Sequence, residues 1–124
     1  MNKDYKTRNK IIFGVEEPEG GDCIHFEDLN LDQLDQLIDQ DFIDMEECQN
    51  LSPTTEDFFE FMKKYPGTTA HGYAISHTRD DYCVTLEGLS YSGKVTTEML
   101  KDFVHLCRLA DEFDINDKLY SWWD

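Results

Sequence analysis

The sequence has 124 residues, of which 40% are hydrophobic and 13% aromatic, and its formal net charge is −16. This length and composition predict a single domain over residues 1–124 with a sizeable core, and they argue against a disordered chain. No apolar run reaches the roughly 18 residues that cross a bilayer. A strongly acidic surface repels phosphates, so direct binding of DNA or RNA is unfavourable.

The beginning of the chain is polar and of mixed charge, and no apolar segment follows it as in a signal peptide. We therefore expect a cytoplasmic protein, with residues 1–9 as a flexible N-terminal arm. Cys23, Cys48, Cys83 and Cys107 are widely spaced and form no CxxC pair. We interpret them as free thiols, and two disulfides are the alternative.

The first elements predicted are a hairpin and a helix. Lys10–Val15 is rich in β-branched and aromatic residues and predicts a first strand. Glu16–Asp22 contains proline and glycine and predicts a turn, after which Cys23–Phe26 completes the hairpin. Asn30, with Gln33 three residues later, is typical of a capping box at the start of a helix. The helix that follows has apolar residues at helical spacing: Leu31, Leu34, Leu37, Ile38, Phe42 and Met45.

A second helix is predicted to begin near Pro53, with Ser52 or Thr54 as its cap, and to end at Pro66-Gly67. Its inward side is predicted to consist of Phe58, Phe61, Met62 and Tyr65.

The second half of the chain predicts a clear hairpin, a third helix and a closing strand. Thr69–His77 and Tyr82–Leu89 are the strands of this hairpin, and Gly88 and Gly93 predict a bulge or turn around Ser90–Lys94. Thr96 caps the third helix, and Lys118–Trp123 is the closing strand. The apolar face of the third helix is predicted to continue as far as residue 113: Met99, Phe103, Leu106, Ala110 and Phe113. The order ββααββαβ predicts an α+β fold, with an antiparallel sheet of about five strands packed on one face by three helices.

Two stretches resemble small acidic proteins that are carried on phage and conjugative elements of gut bacteria. They are Thr69–Gly88, TAHGYAISHTRDDYCVTLEG, and Leu119–Asp124, LYSWWD. The resemblance implies a mobile-element setting, and it implies no activity and no functional residue.

Residues 11–50 contain thirteen carboxylates and no lysine or arginine, whereas all eleven basic residues lie elsewhere. A surface that only keeps a protein in solution usually mixes both signs of charge. Like charges three or four residues apart on a helix repel each other by about 0.2–0.5 kcal/mol per pair, and a basic partner would remove that repulsion. We name nine of these carboxylates the acidic array and predict that they contact the partner as phosphates do: Glu16, Glu17, Asp32, Asp35, Asp39, Asp41, Asp44, Glu46 and Glu47.

The leading hypothesis is a non-enzymatic binding protein that engages a basic, nucleic-acid-handling protein and inhibits or regulates it. A CRISPR or restriction nuclease is an example of such a partner. The alternative for the acidic segment is a solvated surface without a partner. A second hypothesis is an ordinary interaction module that binds through an apolar patch containing Trp122 or Trp123, with Phe59 beside it.

A third hypothesis is a small metal-dependent or cysteine enzyme built around the Cys23–His25 pair. That pair has no second pair at ligand spacing, and GxSxG, HExxH and P-loop motifs are absent from the sequence. The acidic stretch Asp111–Asp117 lacks the glycine and glutamate of an EF-hand. We therefore predict no catalytic residue, no metal and no cofactor.

Overall fold

The structure is a computed structural model that describes residues 2–45, 53–106, 112–115 and 119–122. These residues form four helices and five strands, and the predicted α+β class is confirmed. The predicted number of three helices and the order ββααββαβ are wrong. The elements, in chain order, are α1 (Tyr5–Phe13), β1 (Cys23–Leu29), α2 (Leu31–Asp39), α3 (Thr55–Lys64), β2 (Thr69–Ile75), β3 (Cys83–Tyr91), α4 (Thr97–Leu106), β4 (Glu112–Ile115) and β5 (Leu119–Trp122).

The strands form one antiparallel sheet in the order β1-β2-β3-β5-β4. The predicted central hairpin is confirmed as β2 and β3. Within it, Gly72 lies opposite Leu86 and His71 lies opposite Gly88, so Glu87 is an extra residue on β3. This bulge lies earlier in the chain than the bulge or turn predicted around Ser90–Lys94. Beyond it, Ser90 pairs with Thr69 of β2 on one side and with Tyr120 of β5 on the other.

The N-terminal prediction is wrong in both of its parts. Residues 5–13 form α1, so the flexible arm is wrong from Tyr5 onward, and the strand Lys10–Val15 does not exist. The predicted hairpin with Cys23–Phe26 is also wrong, because β1 pairs with β2.

Capping at both ends explains why a β-branched segment is helical here. The Asp4 side chain accepts a hydrogen bond from the Thr7 backbone N–H at 3.3 Å. At the other end, Gly14 has a φ of 80°, and its N–H donates to the Lys10 carbonyl. A left-handed glycine of this kind ends a helix at little cost, and an N-cap aspartate satisfies one of the first N–H groups.

The third predicted helix extends too far. Among the described residues, α4 ends at Leu106, and Glu112–Ile115 forms β4, so Phe113 lies in a strand. β4 pairs with β5, with Glu112 opposite Trp122 and Ile115 opposite Leu119. The closing strand predicted within Lys118–Trp123 is confirmed as β5.

The core lies between the four helices and one face of the sheet. In the hairpin, the core residues Ala70 and Ala74 of β2 lie opposite Leu89 and Val84 of β3. Burial of these residues and their helical partners removes apolar area from water, which stabilises a fold of this kind more than any other interaction. The side chains that the helices contribute to this buried cluster are Ile12, Leu34, Leu37, Phe58, Phe61, Met62, Met99 and Phe103.

β1 is an outer strand of the sheet and is irregular. Asp28 has a φ of 57°, in the left-handed region that residues other than glycine rarely adopt. The pairing of β1 with β2 shifts register between Phe26 and Leu29, so the strand bends at Asp28.

Across the described ranges, no helix is both long enough and apolar enough to cross a bilayer.

Candidate functional site

α2 is held in a fixed position and rotation by its cap and its buried leucines. The predicted capping box is confirmed: the Gln33 N–H donates to Asn30 Oδ1 at 2.9 Å, and the Asn30 N–H donates to Gln33 Oε1 at 2.8 Å. Leu34 and Leu37 are fully buried in the core. Because these two leucines face the core, the opposite side of the helix faces solvent.

The solvent side of α2 carries three carboxylates of the acidic array. Asp32, Asp35 and Asp39 are all exposed and lie three and four residues apart. Asp32 and Asp39 are seven residues apart, which is about 10 Å along a helix axis. The mean spacing is therefore about 5 Å per charge, against the 3.4 Å per phosphate along one strand of DNA. The charge density of α2 alone is thus lower than that of a nucleic-acid strand.

The helix dipole treats these carboxylates unequally. Asp32 lies in the first turn of α2, where a negative charge is favourable. Asp39 is the last residue of the helix, and the last turn contains no basic residue. Asp39 therefore opposes the dipole and also repels Asp35 four residues before it. The C-terminal end of α2 holds a charge that its own helix disfavours.

Ion pairs within the described residues do not neutralise the α2 carboxylates. They join Lys64 to Glu98 at 3.0 Å and to Asp102 at 2.9 Å, and Arg79 to Asp81 at 2.9 Å. None of them includes Asp32, Asp35 or Asp39. Within the described residues, no ion pair therefore balances the charge of this face.

The lysines of the N-terminal region lie near α2 without forming such pairs. α1 runs beside α2: the Gln33 side chain donates to the Ile11 carbonyl at 2.9 Å, and the Asn2 side chain donates to the Gln40 carbonyl at 2.8 Å. Lys6 and Lys10 are exposed on α1. In the part of the chain that the structure describes, neither lysine forms an ion pair with a carboxylate of α2.

The remaining members of the acidic array are distributed over other segments. Glu16 and Glu17 are exposed in the loop after α1, and Glu17 lines a cavity beside α1. Asp41, with a φ of 63°, and Asp44 are exposed in the segment after α2. Glu46 and Glu47 lie outside the described residues. The structure thus places three of the predicted carboxylates on one face of one helix, and it does not join all nine into one described surface.

The sheet face away from the helices carries the histidines on which the enzyme hypothesis depends. The rings of His25 and His71 have centroids 6.2 Å apart, and His25 contacts Tyr73 edge-on at 5.2 Å. Among the described residues, no group of three or more His, Cys, Asp or Glu side chains could hold a metal ion. The cluster that a Cys23–His25 enzyme requires is therefore not formed by this part of the chain.

His71 has a structural contact instead. Its ring is 3% exposed, and its Nε2 donates to the Ser121 carbonyl of β5 at 2.9 Å. Burial lowers the pKa of His71, because the charged ring loses hydration, and the hydrogen bond to Ser121 opposes that shift. A neutral His71 thus links β2 to β5 across β3.

The cysteines and the proposed apolar patch are described only in part. Neither Cys23 nor Cys83 is in a disulfide, and Cys48 and Cys107 lie outside the described residues. Phe59 is half-buried and packs against the core, so it is not the open contact that the interaction-module hypothesis requires. Trp123 lies outside the described residues.

A contact that the sequence does not predict joins α3 to α4. The Asp102 carboxylate accepts hydrogen bonds from the Tyr65 hydroxyl and from Lys64 Nζ, the latter at 2.9 Å. The Tyr65 hydrogen bond and the Lys64 ammonium lower the pKa of Asp102. The hydrogen bond to Asp102 in turn raises the pKa of Lys64. These hydrogen bonds join the end of α3 to α4 at the surface.

Comparison with known proteins gives no match: no protein-family model, no curated protein and no solved structure is similar to the chain. The functional argument therefore depends on the residues themselves, and on the acidic face of α2 above all.

Proposed function

We propose that this protein is a non-enzymatic, cytoplasmic binding protein whose acidic array engages a basic protein that handles nucleic acid. The observation that supports this most is the solvent face of α2, where Asp32, Asp35 and Asp39 lie side by side without an ion-pair partner among the described residues. Occupation of a phosphate-binding groove by these carboxylates inhibits or regulates the partner. The mobile-element resemblance makes a CRISPR or restriction nuclease a suitable partner class.

The energetics favour association with a cation-rich groove. Repulsion between neighbouring aspartates, and between Asp39 and the helix dipole, is present in the free protein and is relieved when basic side chains approach. The net charge of −16 also attracts a basic surface over a distance and speeds its encounter. Because these charges are exposed, salt screens them, and affinity falls steeply as ionic strength rises.

The test begins with the immobilised protein in a lysate of its host at low salt, followed by elution in steps of rising salt. A partner of the proposed kind elutes early in the salt series, and a short DNA duplex competes with the protein for it. A partner that stays bound in high salt, or that binds duplex and protein at the same time, contradicts the phosphate-like mechanism.

A matched pair of variants separates the α2 face from net charge. The array variant combines Asp32→Asn, Asp35→Asn and Asp39→Asn. The control variant combines Glu56→Gln, Glu60→Gln and Asp80→Asn, which are exposed positions outside α2 and outside the acidic array. Both variants change the net charge equally, so long-range attraction changes equally. We expect the array variant to bind the captured partner at least about tenfold more weakly than the control variant, which corresponds to about 1.4 kcal/mol. Equal affinities would show that only overall acidity matters.

A further inference from the structure

A cavity of about 200 Å³ lies beside α1, at the end of β2. Its walls come from α1, from the loop after α1, from β1 and from the end of β2. An engineered protein cavity of about 150 Å³ holds benzene, whereas pockets for drug-sized ligands begin at about 300 Å³. The cavity therefore suits a molecule of the size of a small amino acid. The lining residues used below are Arg8, Glu17, Ile24, Ala74, Tyr5 and His77.

The inner wall of this cavity contains a buried positive charge. The Arg8 side chain is 3% exposed and lies over the Tyr82 ring, with its guanidinium carbon 4.6 Å from the ring centroid. It donates to Asn9 Oδ1 at 3.0 and 3.3 Å, to the Ile75 carbonyl at 2.8 Å and to the Cys83 carbonyl at 3.4 Å. All of these acceptors are uncharged. Within the described residues, Arg8 forms no ion pair with a carboxylate.

Arg8 retains hydrogen-bonding capacity for a ligand. A guanidinium has five N–H donors, and the contacts within the described residues use four of them, which leaves one N–H on Nη2. Burial lowers the pKa of Arg8, yet an arginine remains charged in proteins. A buried charge is stabilised by a partner of opposite sign, and the remaining N–H can donate one hydrogen bond to an oxyanion. The inner wall thus selects a carboxylate.

The outer part of the cavity has the opposite charge. Glu17 is exposed and lines the cavity from the loop after α1. The Asn9 side chain, which accepts from Arg8, also donates to the Glu16 carbonyl at 2.9 Å, so the start of this loop is fixed to α1. A purely anionic ligand is repelled both by Glu17 and by the net charge of −16. A ligand that carries both a carboxylate and a positively charged group is attracted by Glu17. Such a ligand has no net charge, so the net charge of the protein does not repel it.

The remaining walls fit the other parts of such a ligand. Ile24 and Ala74 lie opposite each other on β1 and β2 and provide an apolar surface. The rings of Tyr5 and His77 stack with centroids 3.7 Å apart and an angle of 9°, which makes a flat wall on another side. We propose that this cavity binds a small zwitterion of the α-amino-acid class, with its carboxylate at Arg8, its ammonium at Glu17 and its side chain against Ile24 and Ala74.

This proposal shares Glu17 with the acidic array but does not depend on the carboxylates of α2, and it is tested on the isolated protein. Valine is the zwitterionic probe, and acetate and methylammonium are the singly charged probes. Binding is followed by NMR through the Tyr5 and His77 ring signals. We expect saturable shifts with valine in the millimolar range, and at least about tenfold weaker binding of either singly charged probe, because each lacks one charged contact. The absence of saturable shifts with valine overturns the proposal, and acetate binding as tight as that of valine overturns the zwitterion preference.

Adjacent glutamates provide a matched pair of variants. Glu17→Gln removes the proposed contact with the ammonium, whereas Glu16→Gln makes the same charge change one residue away, outside the cavity lining. Both positions are exposed, so both variants should fold. We expect Glu17→Gln to weaken valine binding to the level of acetate binding and Glu16→Gln to leave valine binding unchanged. Equal effects of the two variants on valine binding remove Glu17 from the site and overturn the proposal.

Discussion

Replacing Asp39 by asparagine should stabilise the protein, although it removes a charged residue from an acidic surface. The change removes the repulsion between Asp39 and Asp35, worth about 0.2–0.5 kcal/mol. It also removes a negative charge from the end of α2, where the dipole disfavours it by about 0.3–1 kcal/mol. The sum is a gain of about 0.5–1.5 kcal/mol in the free energy of unfolding at low salt.

Asp32→Asn is the matched control, because it makes the same chemical change at the other end of the same helix. It relieves one repulsion of about 0.2–0.5 kcal/mol with Asp35, but it loses a favourable dipole interaction of about 0.3–1 kcal/mol. The net effect is therefore close to zero or destabilising. Urea unfolding at low salt and in about 1 M salt measures both, and the difference between the variants should shrink in high salt, where the Debye length is about 3 Å. If Asp39→Asn is no more stable than Asp32→Asn at low salt, then the charge of Asp39 does not destabilise the C-terminal end of α2 and this prediction is wrong.

Three further changes test contacts of the sheet. Gly88→Ala should lower the free energy of unfolding by at least about 2 kcal/mol in urea unfolding, because overpacking is costly and a Cβ there would lie 1.9 Å from the Ser121 carbonyl oxygen. A fully stable variant would contradict the close approach of β3 and β5. Folding lowers the pKa of His71, so the unfolded chain binds more protons than the folded protein as the pH falls. The contribution of His71 to the free energy of unfolding is therefore full above a pH of about 6.5 and decreases below it. Urea midpoints from pH 8 to pH 5 should therefore fall less in His71→Gln than in the parent, and parallel curves would contradict this. Arg8→Lys should lower the unfolding free energy by about 1–3 kcal/mol for each buried acceptor left without a donor, which thermal unfolding measures, and an unchanged midpoint would contradict the role of Arg8 at the end of the hairpin.

Elements with strong signals at both ends could be predicted from the sequence. α2 and α3 each begin with a capping box, and both boxes form in the structure. The two strands of the β2–β3 hairpin pair with each other as expected. In these segments the local preferences agree with the caps of the helices and with the turn of the hairpin, and consistent signals of this kind specify structure well.

The predicted elements are wrong where two features of the sequence favour different structures. Ile11, Ile12 and Phe13 favour a strand by composition, but Asp4 and Gly14 close a helix around them, and these two caps were the signal that could have revealed α1. At the other end, Phe113 continues the apolar spacing of α4, yet it pairs with Ser121 in the sheet. A local sequence pattern does not show which strands pair with each other, and residues 112–115 form a strand because they pair with β5.

The two candidate sites also differ in how far the sequence predicts them. The face of α2 follows from helical spacing alone, since Asp32, Asp35 and Asp39 must lie opposite Leu34 and Leu37. The cavity beside α1 could not be foreseen, because it combines Arg8 and Glu17 with residues more than fifty positions later. A segment that was expected to be a flexible arm supplies its buried cation.

The irregular geometry of β1 has a consequence for how copies of this protein meet at high concentration. β2 is the one hydrogen-bonded neighbour of β1 in the described sheet, and outer strands of this kind are where strands of another molecule can pair. Such a strand would meet a ladder bent at Asp28, together with the charges of Asp28 and Glu27. Bulges and charges on outer strands prevent edge-to-edge aggregation. The left-handed conformation of Asp28 in β1 thus disfavours polymerisation of the sheet.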